Sequence, residues 1–255
     1  MNFKGAHSKI ERANRHIDEL EAAISAFRSS DKHRFVFEKD ASGGIAKVSH
    51  ESSAEVLEVV SLITGDVVHN LRATLDHIMF EVVTSLDPTV DPDIIKFPIS
   101  NNENAIKTAL QKAEIQTAMS TPLGAEISRV ILNEIKPYGA LDNAICAVSK
   151  LDNIDKHRLV LATFGIVAAT FSGRDAHGNV FIDCGSVGNL GANMNVLETN
   201  IPVQMQFKSV IEIFIGEAKF PNDQPIVPAL RNISQVVTKA LEAIERCVVT
   251  HGAPP

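Results

Sequence analysis

The sequence predicts an α+β fold in which an N-terminal bundle of long helices is followed by a small antiparallel β-sheet and a C-terminal helix. Three observations carry that expectation. Apolar residues recur at helical spacing up to about residue 158, a period of two or continuous apolar sequence takes over after it, and a last helical stripe returns from Pro228. The 255 residues are 45% hydrophobic and 22% charged, the composition of a globular chain long enough to bury its core without a disulfide or a metal. They read as a single domain over 1–255, helical over about 1–158, with the sheet and closing helix over about 159–250.

Ile10, Ala13, Ile17, Leu20, Ile24 and Phe27 alternate steps of three and four with charges between them, which predicts a first helix over about 7–28 lying along another helix. Residues 34–40 and 45–50 flank Ala41-Ser42-Gly43-Gly44 and read as a hairpin. Ser52 and Glu55 form a capping box, and Val56, Val60, Val67, Leu71, Ile78 and Val82 carry the longest helix on to Asp87-Pro88. Ser100 with Glu103 marks another start, and Thr121-Pro122 opens a helix that must end before Pro137. Leu141, Ile145, Val148, Leu151 and Ile154 mark a further helix over about 140–157.

Leu159 to Phe171 reads as a strand buried on both faces, and Asn179 to Cys184 as its partner across a turn at 174–178. Val203 to Lys208 alternates as a half-exposed strand, and Ile211 to Ile215 continues it after a bend. Leu230, Ile233, Val237, Leu241, Ile244 and Val248 form the stripe of a closing helix that begins at Pro228.

Cys146, Cys184 and Cys247 lie far apart among apolar neighbours and form no C-x-x-C, so they read as reduced core thiols. The N-terminus lacks the apolar run of a signal peptide, and no stretch approaches the ~18 apolar residues of a membrane span. A cytoplasmic protein with no membrane partner and no cofactor is the expectation. The 24 basic and 31 acidic residues give a net charge of -7, which announces neither a nucleic-acid nor a membrane binder. The excess sits in residues 51–170, with 9 basic and 16 acidic side chains, whereas residues 1–50 carry 9 and 7. Lys9, Arg12, Arg15, Arg28, Lys32 and Arg34 could form a phosphate-facing patch if the first helix folds over the longest one.

At 100° per residue, Asp66, His69, Asn70, Ala73, Asp76, His77 and Phe80 share one arc of the longest helix, with Arg72 at its edge. This arc holds two histidines and two aspartates but no lysine, unlike an ordinary solvated face. A second dense cluster, Asp152-Asn153-Ile154-Asp155-Lys156-His157-Arg158, lies where helix hands over to strand. Lys156, His157 and Arg158 suit the negative end of a helix dipole. Asp152 and Asp155 do not, and would gain from bonding Arg72, a histidine or a metal brought by another helix.

The segments Gly65 to His77 and Leu151 to Arg158, with Phe97-Pro98-Ile99 and Lys136-Pro137-Tyr138 between them, resemble paired segments in a group of uncharacterised bacterial proteins. Arg72 and His77, with four residues between them, also resemble the Arg-x4-His signature of the HEPN helical ribonucleases. That resemblance implies metal-independent RNA cleavage or RNA binding by a homodimer. Arg72 would stabilise transition-state charge and His77 would exchange protons with a ribose 2′-hydroxyl, supported by His69, Asn70, Asp76, Asp152, Asp155, Lys156, His157 and Arg158. Five residues separate Arg72 from His77 by about 140° around one helix, so a single phosphate would need motifs pooled from two chains.

Two other readings use the same residues. Asp66, His69, Asp152 and Asp155 could bind a metal between two helices. Alternatively Arg72, Asp76, Asp152, Asp155 and Arg158 form a structural network in a non-catalytic module that binds a partner through the half-exposed sheet or the N-terminal seam.

Overall fold

A computed structural model describes residues 1–39, 45–52, 55–140, 143–160, 162–174, 180–190, 193–217 and 224–252; side chains of residues 41–50, 52 and 164–211, and those of His33, Phe35 and Phe37, lie outside the described set. The architecture is α+β. Among the described residues, seven α-helices and five strands run in the order α1 (Lys4–Arg28), β1 (His33–Lys39), β2 (Ile45–Ser52), α2 (Glu55–Leu86), α3 (Glu103–Leu110), α4 (Ala113–Met119), α5 (Pro122–Val130), α6 (Ala144–Asp155), β3 (Ala162–Arg174), β4 (Val180–Leu190), β5 (Asn193–Ile215) and α7 (Ile226–His251).

The alternating seam of α1 is buried along its whole length, from Ile10 through Ala13, Ile17, Leu20 and Ile24 to Phe27, and it packs against α2 and α7. Val60, Val67, Val68, Leu71, Leu75, Ile78, Met79, Val82 and Val83 of α2 meet it in the same core. Leu230, Ile233, Val237, Leu241 and Ile244 of α7 close that core from the other side. Burial of these stripes, at roughly 25 cal/mol per Å² of apolar surface, is the main stabilising term.

Helix starts depend on side-chain acceptors, and several differ from expectation. Asn102, not Ser100, caps α3 by accepting from Ala105 N at 3.0 Å. Thr121 caps α5 as expected, accepting from Gly124 N at 3.0 Å with Pro122 in the first turn. Asn143 caps α6, accepting from Ile145 N and Cys146 N. Ser52 ends β2 and α2 is described from Glu55; the cap expected at Ser52 falls on a side chain, and on residues 53–54, outside the described set. A break at Gln111-Lys112 separates α3 from α4. Gly124 lies so close to the α4 backbone that a Cβ there would overlap Ala118 O and Met119 Cα, which makes glycine necessary for the α4–α5 turn.

α5 continues as a π-helical turn over Ile131–Ile135 and stops at Lys136, whose φ of 51° is left-handed, immediately before Pro137. Ser100 N then donates to Pro137 O at 3.1 Å and Gly139 N to Ser100 O at 3.2 Å, a short parallel bridge. The two proline-containing segments at 97–99 and 136–138 are thereby joined in space.

The sheet order is β1-β2-β5-β3-β4, antiparallel throughout. β5 pairs through residues 193–203 with β2 and through 204–215 with β3. The N-terminal hairpin therefore joins the C-terminal strands, and the sheet draws on both ends of the chain instead of lying wholly after residue 159. β5 runs as one strand over Asn193–Ile215, and the register shift between Ile166 and Ala168 of β3 lies opposite Val210 and Ile211, where the sequence predicts a bend. Val160, Ala162, Ile213 and Ile215 are buried, rooting one end of the sheet in the helical core. The expected two-faced burial of 159–171, the alternating faces of 203–208 and Cys184 fall mainly on side chains outside the described set. Leu159 itself is exposed.

Cys247 is buried and Cys146 is half-buried; neither forms a disulfide among the described residues. Among the described residues, no helix is long and apolar enough to cross a membrane.

Candidate functional site

The polar arc of α2 is divided among three neighbours. On one flank Asn70 accepts from Lys9 Nζ of α1 at 3.4 Å and donates through Nδ2 to Asp66 O at 2.7 Å. His77 lies on that same flank, its ring against Gly5, where a Cβ would come within 3.2 Å of Nδ1. On the opposite flank Arg72 Nη2 donates to Asp76 Oδ1 (2.9 Å) and to Phe97 O (3.3 Å), while Phe97 N donates to Asp76 Oδ1 (2.9 Å). The three groups close a ring that pins the 92–99 segment to α2. Arg72 is largely buried, and its Nη1 has no hydrogen-bond partner among the described residues. The chain thus turns Arg72 and His77 to different neighbours, as the angle of about 140° around the helix requires.

The third neighbour is α6. Asp152, only 2% exposed, accepts from His69 Nδ1 at 3.2 Å across the helix pair and from Lys156 Nζ at 2.6 Å within α6. The Lys156 ammonium and the His69 ring N–H offset the cost of a buried carboxylate at the unfavourable end of the helix dipole. Asp155 sits over Gly65, so close that a Cβ at position 65 would overlap its carboxylate. Glycine at 65 is what lets the two helices approach.

Asp66, His69, Asp152 and Asp155 do gather at this crossing. Burial, then the Asp152 and Asp66 carboxylates, hold the Asp155 pKa above its ordinary value, while His69 acts in the opposite direction. Among the described residues, however, no group of three or more His, Cys, Asp or Glu side chains is placed to hold a metal ion, and Lys156 Nζ occupies the cation position beside Asp152.

A carboxyl whose folded-state pKa exceeds its unfolded value of 3.8 binds the extra proton in the folded chain. Its contribution favours the folded state at acid pH and is lost as pH rises through the window above 3.8. Asp155→Asn is therefore expected to raise stability at neutral pH, by less than about 1 kcal/mol because solvent screens the half-exposed group. The gain should shrink as pH falls toward the unfolded value of 3.8, where the folded wild-type carboxyl takes up its proton. Urea unfolding at the two pH values checks this; a variant less stable than wild type at neutral pH would refute it.

The expected single network of Arg72, Asp76, Asp152, Asp155 and Arg158 is instead three separate groups, because Arg158 turns away from α2. Its guanidinium grips Glu217, 6% exposed, in a two-pronged pair at 3.0 and 2.7 Å and ties α6 to the segment after β5. The basic N-terminal residues are also largely engaged. Arg28 pairs with Glu212, Lys32 with Glu55 at 3.5 Å and Arg34 with Glu51 at 2.8 Å. α1 does fold along α2, but of its basic side chains only Lys9 bonds to the polar arc among the described residues.

The Asp152 to Arg158 cluster has a second face. Asn153, His157 and Arg158, with Ser149, Lys150 and Cys146, line an open cavity of about 910 Å³ bounded by residues 99–101 and 139–140. A second cleft of about 750 Å³ lies on the other side of the 94–100 segment, between Arg72 and α3. Lys150 is a residue that sequence reasoning passed over. The signal was available: Lys150, Asn153 and His157 are spaced by three and four and share a helix face. Glu217 had no local signal, since its partner lies 59 positions away. Comparison of the chain with protein-family models, with characterised proteins and with solved structures finds no match.

Proposed function

We propose that the chain is a non-catalytic interaction module that works as a homodimer. Arg72, Asp76, His69, Asp152 and Lys156 hold its helices in place, and the exposed face of α2 receives a second copy. The observation that carries this reading is the divergence of Arg72 and His77. Arg72 is enclosed in its ring with Asp76 and Phe97, and His77 lies against α1. One chain therefore presents no Arg–His pair to a phosphate.

The receiving surface is a seam. Val59, Leu62, Asp66, His69, Ala73, Asp76 and Phe80 alternate steps of three and four, within roughly 100° of the helix circumference. Val59, Leu62 and Phe80 are 45%, 51% and 39% exposed, although apolar residues at such spacing usually face another helix. The order is apolar at both ends and polar at the centre, so it reads alike in both directions. An antiparallel copy would set Val59 and Leu62 of each chain near Phe80 of the other, with Asp66 and His69 close to the two-fold axis. Acid and imidazole side chains then face each other across the centre.

Sedimentation of the wild-type protein is expected to give a dimer at micromolar concentration, and Leu62→Glu a monomer with unchanged melting temperature. Single-stranded RNA incubated with the wild type should remain intact. A wild-type monomer at about 100 μM would refute the seam. RNA cleavage that Arg72→Ala and His77→Ala both abolish, in folded protein, would replace the non-catalytic reading with the pooled-motif ribonuclease.

A further inference from the structure

The α6 cavity is built from groups that the fold leaves unused. Three polar side chains on or flanking α6 have protein partners: Asn143 caps the helix, Asp152 bonds His69 and Lys156, and Arg158 is held by Glu217. Lys150 and His157 line the cavity, are exposed, and have neither an ion pair nor a hydrogen bond from their side chains among the described residues.

Charge sorts the same way. The chain carries net -7, all of it in residues 51–170, yet among the described residues this cavity is lined by Lys150, His157 and Arg158 and by no carboxylate. A concave surface concentrates the field of such groups and raises the local concentration of anions.

Spacing narrows the ligand. Lys150 lies in α6 and His157 in the turn that follows it, seven residues on, and both side chains line the same cavity. Asn153 stands between them with an amide that can donate. An anion two phosphates long can engage both side chains at once. Ile99 and Ile154 add an apolar wall, and about 910 Å³ lies within the range of small-ligand sites.

We infer that the cavity between α6 and the 99–101 and 139–140 segments binds a small organic polyphosphate of nucleoside diphosphate size. Lys150 and His157 contact its two phosphates, with Asn153 donating between them. Arg158, held by Glu217, forms the cavity edge. The site uses none of the α2 seam, so it stands apart from the dimer.

Isothermal titration of the full chain with adenosine diphosphate is expected to show saturable binding, with adenosine monophosphate weaker. Lys150→Glu should weaken adenosine diphosphate by about tenfold or more and His157→Ala by a few fold, both at unchanged melting temperature because the side chains are exposed. Lys239→Glu on α7, which makes the same change in net charge away from the cavity, should leave affinity unaltered. Absence of binding at about 1 mM would overturn the assignment. Equal weakening by Lys150→Glu and Lys239→Glu would also overturn it, as would capture of a short single-stranded RNA by a protein that ignores adenosine diphosphate.

Discussion

Truncating Phe97 to alanine is expected to lower the unfolding free energy by about 4 kcal/mol, the range for a large aromatic deleted from a closed core. Phe97 is 2% exposed and among the largest fully buried side chains, although it belongs to an irregular segment. Its backbone is fixed on both polar groups, its N–H by Asp76 and its carbonyl by Arg72. The surrounding chain therefore cannot collapse into the space a truncation leaves. Residues 97–99 wall the second cleft and Ile99 to Asn101 wall the α6 cavity, so the same substitution should also weaken adenosine diphosphate binding. Denaturant unfolding measures the loss; a change below about 1 kcal/mol would show that the segment repacks freely.

The second large effect belongs to Arg72→Ala, expected to cost about 2 kcal/mol. Losing the guanidinium leaves the Asp76 carboxylate without its ion pair and the Phe97 carbonyl without its donor. The figure sits below the full cost of breaking a buried pair because Asp76 is 35% exposed and can recruit water, and because Arg72 Nη1 has no partner among the described residues. Arg72→Lys should recover only part, since an ammonium cannot bridge a carboxylate and a carbonyl with a planar fork. Phe97→Ala and Arg72→Ala should combine to less than the sum of their separate losses, because both release the same segment. Additive losses would show that the ring of hydrogen bonds and the Phe97 side chain act independently.

The helices were legible because each depends on local rules. The seam of α1, the stop at Asp87-Pro88 and the cap at Thr121 arise from spacing and backbone chemistry within a few residues, and the structure keeps all three. Ser100 was misread as a cap because an identical local pattern can be claimed by a distant partner. Its backbone bridges to residues 137–139, and Asn102 caps α3. The irregularity expected near Ile211 shows itself as an extra residue on the partner strand β3, because register is set between strands and not within one.

The motif residues show the same division more sharply. That Asp152 and Asp155 stand at the wrong end of their helix is a local fact; Asp152 is met by His69 and Lys156, whereas burial and the Asp152 and Asp66 carboxylates raise the Asp155 pKa. Sequence could not tell that His69 and Lys156 serve Asp152, that Arg72 serves Phe97, or that Arg158 serves Glu217. Nor could it tell that one dense cluster splits into a face packed on α2 and a face lining a cavity.

By itself the sequence determined the α+β class, the helical seams and the residues that carry unusual charge, because hydrophobic period and dipole preference act over one or two turns. Tertiary structure decided the pairing of those charges and the joining of the N-terminal hairpin to β5. It also decided the divergence of Arg72 and His77 into separate surroundings. Those outcomes depend on which helix faces meet across many tens of residues, a geometry that only the packed core specifies.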